Sequence, residues 1–89
     1  MQITNAQSIG ILDSSHDDDT KQMMLVLQNL IVKETVSLNP AFDYTGLAEE
    51  VAAALLDLTA AGETHREHLT RYARSRANRF VYLRQSGWR

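Results

Sequence analysis

The chain has no cysteine, one proline and four glycines in 89 residues. Without cysteine there is no disulfide and no thiolate metal site. The lack fits a reducing compartment, so a cytoplasmic location is expected. No glycine-rich loop is present to cradle a phosphate, and no serine sits in a recognisable nucleophile elbow. The chain is therefore expected to be non-enzymatic, with no cofactor and no small-molecule substrate. Long apolar runs are missing too. The longest cluster, Met23 to Val32, is broken by Gln28 and Asn29 and is too short to span a bilayer. No basic stretch and long apolar run follow Met1, so neither a secretory leader nor membrane association is expected. A single small domain holds only a thin margin over conformational entropy. With disulfides excluded, oligomerisation is the expected source of extra stability.

Lysine is also scarce, and what replaces it is unevenly placed. Residues 63–89 hold all seven arginines, from Arg66 to Arg89, against only Glu63 and Glu67, a net +5. Residues 1–62 hold Lys21 and Lys33 against nine acids, a net −7, and the two parts make up the overall −2. A nearly balanced chain is thus split into an acidic front and a basic back. At 44% hydrophobic and 22% charged residues, its composition is that of a folded domain.

Apolar spacing predicts an all-α fold: a single three-helix domain over 17–89 with a C-terminal αα-hairpin, preceded by a short, partly disordered N-terminal arm over 1–16. The helices are expected over about 18–37, 45–61 and 64–86. Asp17-Asp18-Asp19-Thr20 opens the first, where acids match the positive end of the helix dipole. His16 beside three aspartates has a metal-binding composition. Consecutive side chains on a helix diverge, however, so the run reads as a solvated helix start. Met23, Met24, Leu27, Leu30, Ile31 and Leu38 form one face of this helix. Leu25, Val32 and Val36 form a second stripe, nearly opposite. A helix apolar on two sides needs two covers. The second cover is either the arm, through Ile9 to Leu12, or another subunit, which makes Leu25, Val32 and Val36 a candidate homodimer interface.

Asn39-Pro40 ends the first helix, and Phe42 and Tyr44 are expected to anchor the connection. Asp43 or Thr45 is the expected cap of the second helix. Leu47, Val51, Ala54, Leu55 and Leu58 form its main face, widened by Ala48, Ala52 and Leu56, with Glu50 and Asp57 along one edge. Gly62 suits a left-handed C-terminal cap, and Thr64-His65-Arg66-Glu67 matches a capping box. Together they predict two helices joined by a tight turn, with one kinked helix as the alternative. On the last helix Leu69, Tyr72, Ala73, Ala77, Phe80 and Leu83 face inward with Arg76 among them. Glu67, Arg71, Arg74, Asn78, Tyr82 and Gln85 face outward, and Ser86-Gly87 is the expected stop.

Three constellations bear on function. His65 and His68 could share a metal, but no third ligand is evident and Arg66 opposes a cation, so no metal site is assigned. Arg76 on an apolar face needs an acid, because an unpaired buried charge is costly. An antiparallel hairpin closing near Gly62 places it beside Glu50, with Arg66 or Leu69 near Asp57, so Arg76, Glu50 and Asp57 are expected to form a structural ion pair. Arg71, Arg74, Arg79, Tyr82 and Arg84 are the candidate partner-binding residues. The expected role is a small protein–protein interaction protein, an adaptor, inhibitor or regulator acting as a homodimer or on another protein. Nucleic-acid binding through the arginine-rich helix is the alternative.

Overall fold

The computed structural model describes residues 6–38 and 44–85, and every regular element among them is helical. A 3₁₀ turn, Ala6–Ser8, leads into a short α1, Ile9–Leu12. Then come α2, Asp18–Leu38, α3, Leu47–Ala60, and α4, Arg66–Gln85. The three principal helices stand where apolar spacing placed them. Phe42, Asp43, the Asn39-Pro40 stop, the Ser86-Gly87 stop and the first five residues lie outside the described residues.

Alanine and leucine crowd α3, and this helix becomes the hub. It touches each of the other elements. Leu47, Val51, Leu55 and Thr59 make one buried ridge at intervals of four, Ala48 and Ala52 a second, and Ala54 is buried beside them. Small residues on such ridges let neighbouring axes approach closely. Glu49 and Ala53 face solvent. The expected cap, Thr45, is displaced by one residue. Gly46 holds the N-cap position at φ 90°, without a side-chain cap, and Leu47 N–H donates to Tyr44 O at 3.0 Å. That left-handed backbone is cheap only for glycine. Tyr44 anchors the connection as expected, its hydroxyl donating to Val36 O at 3.3 Å, and burial pushes its phenol pKa up.

On α2 the two apolar stripes prove to be the edges of one wide face. Met24, Leu27, Gln28, Ile31, Val32 and Thr35 are buried, with Gln28 and Thr35 along the middle. Polar residues can occupy that seam because each finds a partner there: Thr35 Oγ1 donates to Ile31 O at 2.8 Å, and Gln28 bonds across the core. The expected dimer stripe is thus largely covered within its own chain. Val32 is fully buried within its own chain, and Leu25 and Val36 are partly buried against the same core. The exposed apolar residues of α2 are instead Val26 at 52%, Leu30 at 45% and Leu38 at 71%, the last two having been expected inside.

The arm, from Ala6 to Leu12, is helical, and it belongs to the core. Ser8 Oγ donates to Gln28 Oε1 at 2.7 Å, and Gln28 Nε2 donates to Gln7 O at 3.0 Å and to Ala48 O at 2.9 Å. Ile11 is completely buried. Gly10 lies so near α3 that a Cβ there would sit 3.1 Å from Leu56 Cδ1.

Local chemistry sets the helix ends. Thr20 N–H donates to Asp17 Oδ1 at 2.9 Å. Hydrogen bonding by the Thr20 hydroxyl and then its amide holds the Asp17 carboxyl below its usual pKa. At the other turn Gly62 has φ 94°, Glu63 N–H reaches Leu58 O at 3.1 Å and Gly62 N–H reaches Thr59 O at 3.0 Å. This is a Schellman closure, and it separates α3 from α4 instead of kinking one helix. The expected capping box gives way to Glu63. Its Oε1 accepts from His65 N–H at 2.8 Å, and its Oε2 lies 3.1 Å from His68 Nδ1. The His65 amide first, then His68, hold its carboxyl below the ordinary range. The buried ridge of α4 is Leu69, Ala73, Ala77 and Val81, a strict interval of four. Leu83, expected inside, is 38% exposed, because the ridge runs through Val81 instead.

Two outcomes follow from this packing. Gln28→Ala leaves two buried and one part-buried polar group without their partner and opens a void, so it should cost about 2–4 kcal/mol in denaturant unfolding, while the exposed Asn29→Ala should stay within about 0.5 kcal/mol. Asp17 and Glu63 have depressed folded pKa values, so their stabilisation is present above the unfolded carboxylate value and is lost as pH falls through the folded one. Helical circular dichroism should therefore hold above about pH 5 and decline below about pH 4, and the decline should be shallower in the Asp17→Asn, Glu63→Gln double variant.

Candidate interaction surface

α3 and α4 run antiparallel, and the register brings side chains equidistant from the turn together. Arg76 Nε donates to Glu50 Oε1 at 2.8 Å, and its Nη2 lies 2.6 Å from the same oxygen. Its Nη1 donates to the Tyr72 hydroxyl at 3.0 Å and stands 3.6 Å from Asp57 Oδ2. The expected trio is thus assembled, with one change. Arg76 reaches Asp57 as well as Glu50, since its long side chain bridges two acids about two turns apart on the facing helix. Tyr72 was missed as a member, although its place four residues before Arg76 was a signal for it. The Arg76 side chain remains 25% exposed. It lies at the edge of the buried ridge, not within it. Hydrogen bonding to Glu50 and then to Tyr72 pushes its guanidinium pKa further up.

Two of the five candidate partner-binding residues are already occupied. Arg74 forks onto Glu34, with Nε 3.0 Å from Oε1 and Nη2 donating to Oε2 at 3.1 Å. The Arg84 guanidinium lies 4.7 Å from the Phe80 ring centroid, and its Nη2 donates to Thr45 O at 3.1 Å. Glu34, Glu50 and Asp57 all come from the acidic front. The charge split in the sequence is therefore partly resolved inside the chain. Arg66, Arg71 and Arg79 are exposed and form no ion pair among the described residues. Arg71, Ser75, Asn78 and Tyr82 follow one helical face, with Arg79 beside them, and Tyr82 is 67% exposed. No acid occurs on α4 after Glu67.

Two hollows adjoin this face. One, of about 300 Å³, is lined by Glu50, Arg76, Arg79, Phe80 and Leu83. The other, of about 310 Å³, is lined by Arg66, Glu67, Thr70, Arg71 and Arg74. The His65 and His68 rings are 5.4 Å apart between centroids, but no group of three metal-ligating side chains gathers among the described residues. Nor is any helix among those residues long and apolar enough to cross a membrane.

The half-buried arginine should matter more than the exposed one. Arg76→Ala removes a group shared by two acids and a tyrosine, and is expected to cost about 1–3 kcal/mol, between the limits for surface and buried pairs. Arg74→Ala, at an exposed pair, should cost less than about 1 kcal/mol by the same unfolding measurement.

No protein-family model matches the chain, and neither a curated protein nor a solved structure matches it, so the reading of this surface rests on its own residues.

Proposed function

We propose that this is a small non-enzymatic interaction protein, an adaptor or regulator that binds an acidic protein partner through the solvent face of α4. One observation carries the reading. After the internal pairs are made, α4 still presents Arg71 and Arg79 without an ion pair among the described residues, Tyr82 largely exposed, and no acid beyond Glu67. Arginine and tyrosine are the side chains that concentrate binding energy at protein interfaces. Self-association is the weaker form of the proposal, because Leu25, Val32 and Val36, the stripe that called for a second copy, is taken up within the chain.

Nucleic-acid binding is the second reading, and the same arginines with Tyr82 favour it. Charge arithmetic weighs against it. Two arginines on one face neutralise two phosphates, a salt slope of only about −1.8, where proteins that hold duplexes make about six to ten such contacts. Affinity capture from the native cell separates the two. The Arg71→Glu, Tyr82→Ala double variant should lose an acidic protein partner that the wild type retains, with an unchanged melting curve. Steeply salt-dependent retention of the wild type on a single-stranded DNA column, without a protein partner, would reject the protein reading.

A further inference from the structure

The hollow between α3 and α4 differs from the rest of the basic face in being both walled and charged. Its lining includes the Phe80 ring, which packs against the core and carries Arg84 over it. The Arg84 guanidinium lies 4.7 Å from its centroid, and Gly46 lies near its edge with room for a Cβ, which would stand 3.8 Å from Cε2. Its floor is the Arg76–Glu50 pair. Both contacts from the guanidinium fall on Glu50 Oε1, so that carboxylate is compensated and does not repel an incoming acid as a free charge. Leu83 supplies 38%-exposed apolar surface on one rim. Arg79, one turn before it on α4, supplies a cation, with no acid of its own chain bound to it among the described residues. Counting Arg76 and Arg79 against Glu50, the lining carries one net positive charge.

We infer that this hollow is the seat for an acidic peptide segment of a partner protein, with an aliphatic or aromatic side chain lying against Phe80 and Leu83 and a carboxylate on Arg79. The inference rests on the protein-interaction reading and names the anchor point within it. The size agrees: about 300 Å³ is on the order of ten waters' volume, room for one or two side chains and the lower limit for a small-molecule site. The chemistry agrees as well. A planar guanidinium that holds no acid of its own among the described residues takes a carboxylate in a two-pronged hydrogen bond. A ring already fixed in position costs little further ordering when a side chain packs on it.

The test is a twelve-residue peptide display library panned on the intact protein, with the enriched peptides resynthesised carrying fluorescein and measured by anisotropy. Enriched sequences should pair an aspartate or glutamate with an aliphatic or aromatic residue. Arg79→Glu should weaken them by about tenfold or more and Leu83→Ala by about threefold or more, while Arg66→Glu, at the far end of α4, should change them by less than about twofold. Melting curves of each variant, with Arg79→Gln as a milder substitution, separate loss of binding from loss of fold. Peptides that bind equally to wild type and Arg79→Glu overturn the assignment, as does a library that yields no enrichment. Peptides that weaken with Arg71→Glu and Tyr82→Ala but ignore Arg79→Glu sink the hollow and leave the outer-face reading standing. A single-stranded oligonucleotide whose retention depends on Arg79, with no peptide enriched, sinks both.

Discussion

A primary amide with no water around it must satisfy its own donors and acceptor, and Gln28 meets that demand by tying three segments together. Its oxygen accepts from Ser8, and its nitrogen donates to Gln7 and to Ala48. Both amide hydrogens are used, so the side chain has one orientation and its partners have one position. The 3₁₀ turn is thereby fixed on α2, which sets Ile11 into the core. The first turn of α3 is fixed to the same point. Gly46 sits two residues before Ala48 and near the Phe80 ring, so the proposed seat adjoins the start of α3 that Gln28 locates.

Local features of the sequence translated directly into structure. Asp17 as a helix start and Gly62 as a left-handed stop depend on neighbours within a few residues, and both are where they were read. The Arg76, Glu50 and Asp57 cluster was legible for a related reason: a tight turn sets the register of an antiparallel pair, so a distant contact reduces to counting from the turn. Gln28 was not legible. Read along α2 it is an interruption in an apolar run, and only Ser8 and Ala48, each twenty residues away, make it interior. The misplacement of Leu25, Val32 and Val36 has that same cause. Without a polar seam joining them, two apolar stripes look like two faces.

The arginines divide along similar lines. Charge counting found the basic helix but could not say which cations were spoken for. Arg74 finds Glu34 across 40 residues, and Arg84 finds the Thr45 carbonyl across 39. Periodicity holds no information about either. The near-absence of lysine also acquires a meaning. Arg76 engages a carboxylate, a second carboxylate and a phenol at once through three nitrogens, an arrangement that a single ammonium point charge reproduces poorly.

α3 and α4 are held by different forces. The ridge of α4 consists of two alanines flanked by one leucine and one valine, whereas α3 buries seven residues and is wrapped by every neighbour. An alanine methyl offers about 0.8 kcal/mol of burial against about 1.5–3 kcal/mol for a larger aliphatic side chain. Attachment of α4 also draws on Tyr72 and Phe80, which pack against the core, and on its guanidinium contacts with Glu34, Glu50 and Asp57, which are partly open to solvent and screened by dissolved ions. Ionic strength consequently acts on the molecule unevenly. The hub answers chiefly to temperature and denaturant, while the arginine-bearing flank loosens as the counterion atmosphere thickens. The pairs that help to hold α4 and the charge of its exposed face draw on a single electrostatic source.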